Sequence, residues 1–329
     1  MDNWNVDINL VDNSINNNEL SANDIDDLLI KISWTKHPDI IKKLLAYKSS
    51  SNAPVRSKTD AELKAEWKTE KLKNGTLCLV QYKGSDTTVS VPEKIGKERV
   101  TEIGEYAFSP KQPRIKKEIK ESRSKIQKII IGNFIKKIGE MTFFGCENLQ
   151  SVVFSGKIKS IPDGMFQECK KIKSIEIPDS VTSVGYRAFQ DCESLEDLVL
   201  PEGLKKLNSA ALRGCSALKR INLPDGLKDL VMACDDCTAL EEVDLPKELK
   251  KIHGFVNCIS LKSVTLPEGL EEIGQFAFSG CKKLKKIRIP SSVKKIDEYA
   301  FGKGIKLILP EDSPVLEFVE KNKFSFSIE

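Results

Sequence analysis

Two residue types keep nearly the same period along most of this chain. Cysteines fall at Cys146, Cys169, Cys192, Cys215, Cys237, Cys258 and Cys281, with spacings of 23, 23, 23, 22, 21 and 23. Prolines follow at Pro178, Pro201, Pro224, Pro246, Pro267, Pro290 and Pro310, spaced by 23, 23, 22, 21, 23 and 20. A fixed period in this range is the signature of a repeat architecture. Aligned on the prolines, the unit reads L-x-x-[IVL]-x-[IL]-P-x-x-[VL]-x-x-[IVL]-x-x-x-A-F-x-x-C, as in LEDLVLPEGLKKLNSAALRGC and LKSVTLPEGLEEIGQFAFSGC. Ser155 and Gly132 hold the proline place in two earlier copies, and Pro92 holds it in a third.

Each copy carries a short apolar alternation before the proline, such as Leu198-Val199-Leu200 or Ile287-Arg288-Ile289. Period two over so few residues predicts a strand, and proline ends its ladder because it has no N–H to donate. An apolar pair at a spacing of three follows (Leu204 and Leu207; Leu270 and Ile273), then an Ala-Phe step such as Ala188-Phe189 or Ala277-Phe278. A unit of this length cannot bury its own apolar face, so neighbours must stack and share one elongated core. Strands at equivalent places would then pair in parallel, ~4.8 Å apart. The fold class predicted is a leucine-rich-repeat-type solenoid of stacked parallel β-strands, with a small helical N-terminal segment.

The I-P…I-G…A-F…C pattern resembles the BspA-like leucine-rich repeats, a bacterial family. KLKNGTLCLVQYKGSDTTVSVPEKIG is similar to the start of such arrays, and ILPEDSPVLEFVEKNKFSF to their usual ending of strand, short helix and strand. The resemblance covers about residues 70–329. It implies the fold and a role in binding, and names no ligand.

The domains expected are a helical cap or subdomain over 1–57 and the solenoid over 58–329, with a C-terminal cap at about 311–329. In the first, Trp4, Val6, Ile8 and Leu10 alternate as in a short strand. Ser21 and Asp24 form a capping signal for a helix with Ile25, Leu28, Leu29 and Ile32, and Pro38 opens a second with Ile40, Ile41, Leu44 and Leu45 on one face. The stretch SSSNAPVRS at 49–57 would be a linker. Residues 1–35 hold Asp2, Asp7, Asp12, Glu19, Asp24, Asp26 and Asp27 against Lys31, a net of −6. Between Pro92 and Gly132 an insertion at about 109–125 holds Lys111, Arg114, Lys116, Lys117, Lys120, Arg123 and Lys125 against Glu118 and Glu121, a net of +5. It reads as a solvated basic helix, a tolerated surface excursion, or as a contact for an acidic partner or the acidic N-terminal part.

The seven laddered cysteines are expected to form a buried structural column of small hydrophobes with weak S–H donors. Disulfides between rungs would need Cα atoms within ~7 Å and converging Cβ vectors. Cys234 and Cys237 have C-x-x-C spacing, but a zinc site needs two more ligands. The repeat explains both residues: Cys237 belongs to the ladder and Cys234 occupies the Phe slot. His37 and His253, the only histidines, have no nucleophile or acid arranged beside them in sequence, and phosphate-binding glycine motifs are lacking. No enzyme, cofactor or metal is expected.

A partner-binding face is expected on the sheet, four and two residues before each proline place, where side chains point outward in parallel rows. The candidates are Lys128, Ile130, Val153, Glu176, Asp197, Val199, Arg220, Asn222, Glu242, Asp244, Thr265, Lys286 and Arg288, with Ser151, Ser174, Ser263, Lys306 and Ile308 completing the rungs. The partner would be an unidentified protein. Lys+Arg 52 against Asp+Glu 48 leaves +4, too small a bias to point to a polyanion. The basic stretch lacks interleaved aromatics to stack on bases, so nucleic acid is not expected. No apolar run approaches the ~18 residues of a membrane span. The first residues lack a basic and an apolar region, so no secretory signal is expected, and a reducing cytoplasmic compartment follows. The expected function is a non-enzymatic interaction module. A cell-surface or secreted adhesin is one alternative, and a regulatory module whose acidic N-terminal part docks on the array is another.

Overall fold

The structure, a computed structural model, describes residues 58–329 together with Val11, Asn13, Ser14, Ile40, Lys42, Lys43 and Leu44, all helical. Ile40 and Leu44 are buried, one turn apart. The strand expected at 4–10, the first helix expected at 21–32 and the linker lie outside the described residues.

The described array opens with helix α1 (Asp60–Glu66), which the repeat pattern did not foretell. Its signal is a capping box: Glu62 N–H donates to the Thr59 hydroxyl, and the Thr59 N–H donates to the Glu62 carboxylate. The strands Trp67–Lys71 and Leu77–Tyr82 then form an antiparallel hairpin. Leu77–Tyr82 pairs in parallel with Glu98–Ile103, turning the chain into the solenoid. The hairpin closes the end of the core: Trp67, Tyr82 and Phe108 are all buried, with ring centroids 4.8 to 5.7 Å apart.

From there each turn contributes three sides. The first is the strand before the proline place. Ser174–Glu176 pairs with Asp197–Val199, and Arg220–Asn222 with Glu242–Asp244, in parallel registers one repeat apart. Proline then closes a turn as well as a ladder: the carbonyls of Pro178, Pro201 and Pro224 accept from Val181, Leu204 and Leu227. The second side is a row of two- and three-residue strands built on the apolar pair, such as Ser160–Ile161, Ser183–Val184 and Lys206–Leu207. The third is the Ala-Phe-x-x-Cys turn, tied to its neighbour by main-chain bonds such as Phe166 N–H to Ala188 O (2.7 Å) and Phe189 N–H to Ala211 O (2.8 Å).

The phenyl rings form a column. Phe143, Phe166 and Phe189 stack at 5.4 and 5.2 Å, and Phe255, Phe278 and Phe301 at 5.9 and 5.8 Å. The cysteines form a second column, all buried and unpaired. Each thiol donates to the carbonyl of the Phe slot one turn before its own: Cys169 to Phe143 O, Cys192 to Phe166 O and Cys215 to Phe189 O, at 3.1 to 3.2 Å. The same bond runs from Cys146 to Phe108 O, Cys237 to Leu212 O, Cys258 to Cys234 O and Cys281 to Phe255 O. A thiol is small enough for the column and supplies the donor that a valine or alanine would lack. Burial pushes the Cys146 and Cys281 thiols up to about 12, Arg123 holding the first back and the main-chain bond to Cys258 the second.

The insertion is anchored, which corrects its reading as a surface excursion. Helix α2 (Lys117–Arg123) exposes its lysines, but its last residue is buried. Arg123 Nε donates to Tyr82 O (2.8 Å), and Nη1 donates to Ser109 O (2.7 Å), Gln112 Oε1 (3.0 Å) and Tyr106 O (3.1 Å). Lys111 pairs with Glu168 at 3.0 Å and lies over the Phe144 ring. The insertion thus clasps the hairpin to the first turns. At the other end, Lys306–Leu309 is followed by α3 (Leu316–Lys321) and by Phe326–Ile328, which pairs in parallel with Lys306–Leu309.

Candidate partner-binding face

The outward rows are where the ladder puts them. In register, Lys128 faces Ser151, Ser174 faces Asp197, Arg220 faces Glu242 and Lys286 faces Lys306. Between them the inward residues Ile129, Val152, Ile175, Leu198, Ile221, Val243 and Ile287 are buried. The alternation of a pleated strand separates the two sets.

Exposure changes along the rows. Lys128 and Val199, grouped with the face on alternation alone, are buried at 7% and 6% exposure, so neither is free to meet a partner as the structure stands. Ile130, Val153, Glu176 and Asp197 are half-buried. Asn222 is half-buried, whereas Arg220, Glu242, Asp244, Thr265, Lys286 and Arg288 are exposed. The rung at Ser263 and Thr265 forms no ladder with its neighbours, so the sheet is divided there.

The open part carries both signs of charge. Arg220 lies 3.5 Å from Glu242, and Arg288 bridges Glu268 and Glu329 at 2.6 and 2.5 Å. Beside these rows the prolines leave a hollow of about 500 Å³, lined by Glu202, Asn222, Asp225, Asp244, Lys247 and Thr265 among others. Lys247 pairs there with Asp225, holding that carboxyl below its ordinary value through its main-chain N–H first and its ammonium second. Glu202, Asp225 and Lys247 sit just past the proline place and escaped the sequence reading, which counted only backwards from it. A second hollow of about 880 Å³ lies along the other strand row, with Glu70, Glu102, Glu105, Lys137, Glu140 and Asp163 in its walls.

The residues set aside from the sequence have plain positions. Cys234 occupies the Phe slot and Cys237 the ladder, both buried. The His253 ring packs on Gly274, where a Cβ would fall 1.9 Å from it, and its Nε2 lies 3.9 Å from Glu272. His37 lies outside the described residues. Among the described residues no three His, Cys, Asp or Glu side chains converge as metal ligands, and no helix is long and apolar enough to cross a membrane.

The family model for the BspA type leucine rich repeat region matches in six copies, over residues 87–192, 113–234 and 231–327. The chain belongs to this family. Among solved structures, a leucine-rich repeat protein of T. pallidum is 23% identical, with 67% of this chain and 88% of its own covered at a TM-score of 0.53. A leucine-rich repeat protein from Bacteroides ovatus is 22% identical, with 80% and 98% covered at 0.44. No curated protein matches the chain. The BspA-type array accounts for the two columns and for the outward rows; what the rows meet is not part of the family's description.

Proposed function

We propose that this BspA-type array is a non-enzymatic interaction module that receives a protein partner on its outward sheet rows from Arg220 to Arg288. One observation carries the reading. The inward slots repeat the same residue types and are buried, while the outward residues of this stretch change from rung to rung and, apart from the half-buried Asn222, are exposed. A face that keeps its geometry while varying its chemistry is suited to recognition. Its mixed charges favour a partner with both signs on its surface, since complementary charge sets orientation and rejects wrong partners.

Affinity capture from the native cells, with the intact chain as bait against a chain carrying Asp244→Lys and Lys286→Glu, tests the reading. Both positions are exposed, so folding measured by circular dichroism should not change. The expected result is one protein retained by the intact chain and lost with the reversed charges; equal retention by both baits refutes it. The proposal extends to a reducing compartment. Each ladder thiol donates to a main-chain carbonyl, and a disulfide would remove that donor. Fractionation of the native cells checks this, and recovery at the cell surface would favour the adhesin alternative.

A further inference from the structure

The outward rows are covered in their first half and open in their second, and one described contact identifies what covers them. Lys42, in the helical N-terminal part, forms an ion pair with Asp179. Asp179 stands just after Pro178, at the end of the Ser174–Glu176 strand. Glu176, on the outward row beside it, is half-buried, and burial raises its carboxyl even though Lys42 acts to lower it. Reduced exposure spans several turns. Lys128 and Val199, at the two ends of this stretch, are buried, and Ser151, Val153, Ser174 and Asp197 between them are half-buried. Lys128 and Asp197 both hold partners. Equivalent positions in the later turns, Arg220, Glu242, Asp244, Lys286 and Arg288, are exposed. The two halves also differ in side-chain length and in the break at Ser263 and Thr265, so it is the Lys42–Asp179 pair that names the cover.

We propose that the N-terminal segment carrying Lys42 docks on the outward sheet rows between Lys128 and Val199, and so occupies half of the recognition face with the chain's own residues. A partner would meet the rows beyond Arg220 directly and would have to displace the segment to reach the rest. That consequence rests on the proposed function. The docking does not, and it is tested without any partner.

In the intact chain a carbodiimide, which condenses an amine with a carboxylate it touches, should join Lys42 to Asp179, read by mass spectrometry of the digested chain. Asp225 holds the same place after Pro224 two turns later, so a Lys42–Asp225 link should not form. Absence of the first cross-link, or equal formation of both, overturns the docking.

A second readout does not depend on cross-linking, and the intact chain suits it, because its nine native cysteines are all buried. Maleimide labelling of Val199→Cys should be about tenfold slower than that of Thr265→Cys, as expected for a site reached only by local opening. Adding Lys42→Glu, which sets a carboxylate against Asp179 and Glu176, should speed labelling at Val199→Cys about fivefold, the scale of exchanging an attractive surface pair for a repulsive one. Labelling at Thr265→Cys should not change, and Lys42→Glu with Asp179→Lys should restore the protection. Equal labelling rates at the two sites, or indifference of Val199→Cys to Lys42→Glu, would sink the proposal even if the binding reading held.

Discussion

Arg123 is the sharpest point at which the structure departs from a bland reading of the sequence. Two effects oppose each other there. Burial pulls the guanidinium from 12.5 to about 10, against a smaller pull upward from Cys146, which corresponds to a cost of about 3 kcal/mol at ~1.4 kcal/mol per pH unit. Against it stand three N–H donors, Nε–H to Tyr82 O and the two on Nη1 shared among Ser109 O, Tyr106 O and Gln112 Oε1. At ~1.5 kcal/mol for each charged donor they supply about 4–5 kcal/mol. The difference leaves the insertion held by about 1–2 kcal/mol before the stem's packing is added, even though Nη2 finds no partner. Arg123→Ala should therefore destabilise the first turns by ~3–5 kcal/mol, since the stem's packing is lost as well. Arg123→Lys should cost ~2–3 kcal/mol, because a single ammonium cannot span acceptors placed for a planar fork. Urea unfolding followed by Trp67 fluorescence measures this locally, because Trp67 packs on Tyr82 and Phe108; Trp4→Phe and Trp34→Phe remove the other two signals. If both Arg123 variants unfold within ~0.5 kcal/mol of the parent, the range of ordinary surface substitutions, the insertion is a decoration after all.

Alkaline pH should weaken the array through its thiols. Their folded-state pKa lies above the unfolded 9.0, up to about 12 for Cys146 and Cys281, so their contribution is whole below pH 9 and is lost as pH rises towards 12. At pH 10 Cys146 and Cys281 should each subtract about 1.4 kcal/mol, and a urea midpoint that stays level between pH 8 and pH 10 would contradict this. Gly139→Ala should cost ~2–3 kcal/mol, because its Cβ would fall 2.4 Å from the Glu105 main-chain nitrogen of the preceding turn and backbone cannot move aside. Gly75→Ala, in open space at a φ of +82°, should lose only ~1 kcal/mol from backbone strain; equal thermal shifts for the two would mean that close approach of the turns is not what Gly139 serves.

The period made the solenoid and both buried columns legible, because slots in register must share a chemistry. It also gave the ladder register: Ser174 meets Asp197 and Arg220 meets Glu242, one repeat on. A further periodic signal was available and was not used. The residue before each ladder cysteine has positive φ, and it is Gly145, Glu168, Asp191, Gly214, Asp236, Asn257 or Gly280, a set rich in the types that tolerate the left-handed region. The second strand row was not seen as strand at all, since Lys206–Leu207 and its neighbours are two or three residues long and exist only by pairing with other turns. Coverage of the outward rows was out of reach for the same reason. Nothing local to Lys128 or Val199 says that a segment more than 80 residues earlier in the chain lies near Asp179.

The array is continuous in its turns but not in its sheets, and at one place a break in each strand row and a gap in the phenyl column fall together. The outward strand Asp197–Val199 pairs only backwards, and the next ladder begins with Arg220–Asn222. In the second row the ladder ending at Lys206–Leu207 is likewise unpaired with the one beginning at Asp229–Val231. The phenyl column stops at Phe189 and resumes at Phe255, with Leu212 and Cys234 in the slots between. An aromatic pair contributes ~0.5–1.5 kcal/mol beyond the area it buries, so these turns are held less firmly than their neighbours. What crosses the seam is the third side, through Leu212 N–H to Ala233 O (2.9 Å) and Gly214 N–H to Asp235 O (2.8 Å), with Cys237 donating to Leu212 O (3.2 Å). In a solenoid, stability is close to a sum of such neighbour terms, so at this seam the third side and the shared apolar core carry what the ladders do not. The same boundary separates covered outward residues from open ones. The stretch assigned to a partner therefore begins at this seam and is divided again at Ser263 and Thr265, while the thiol ladder runs unbroken from Cys146 to Cys281.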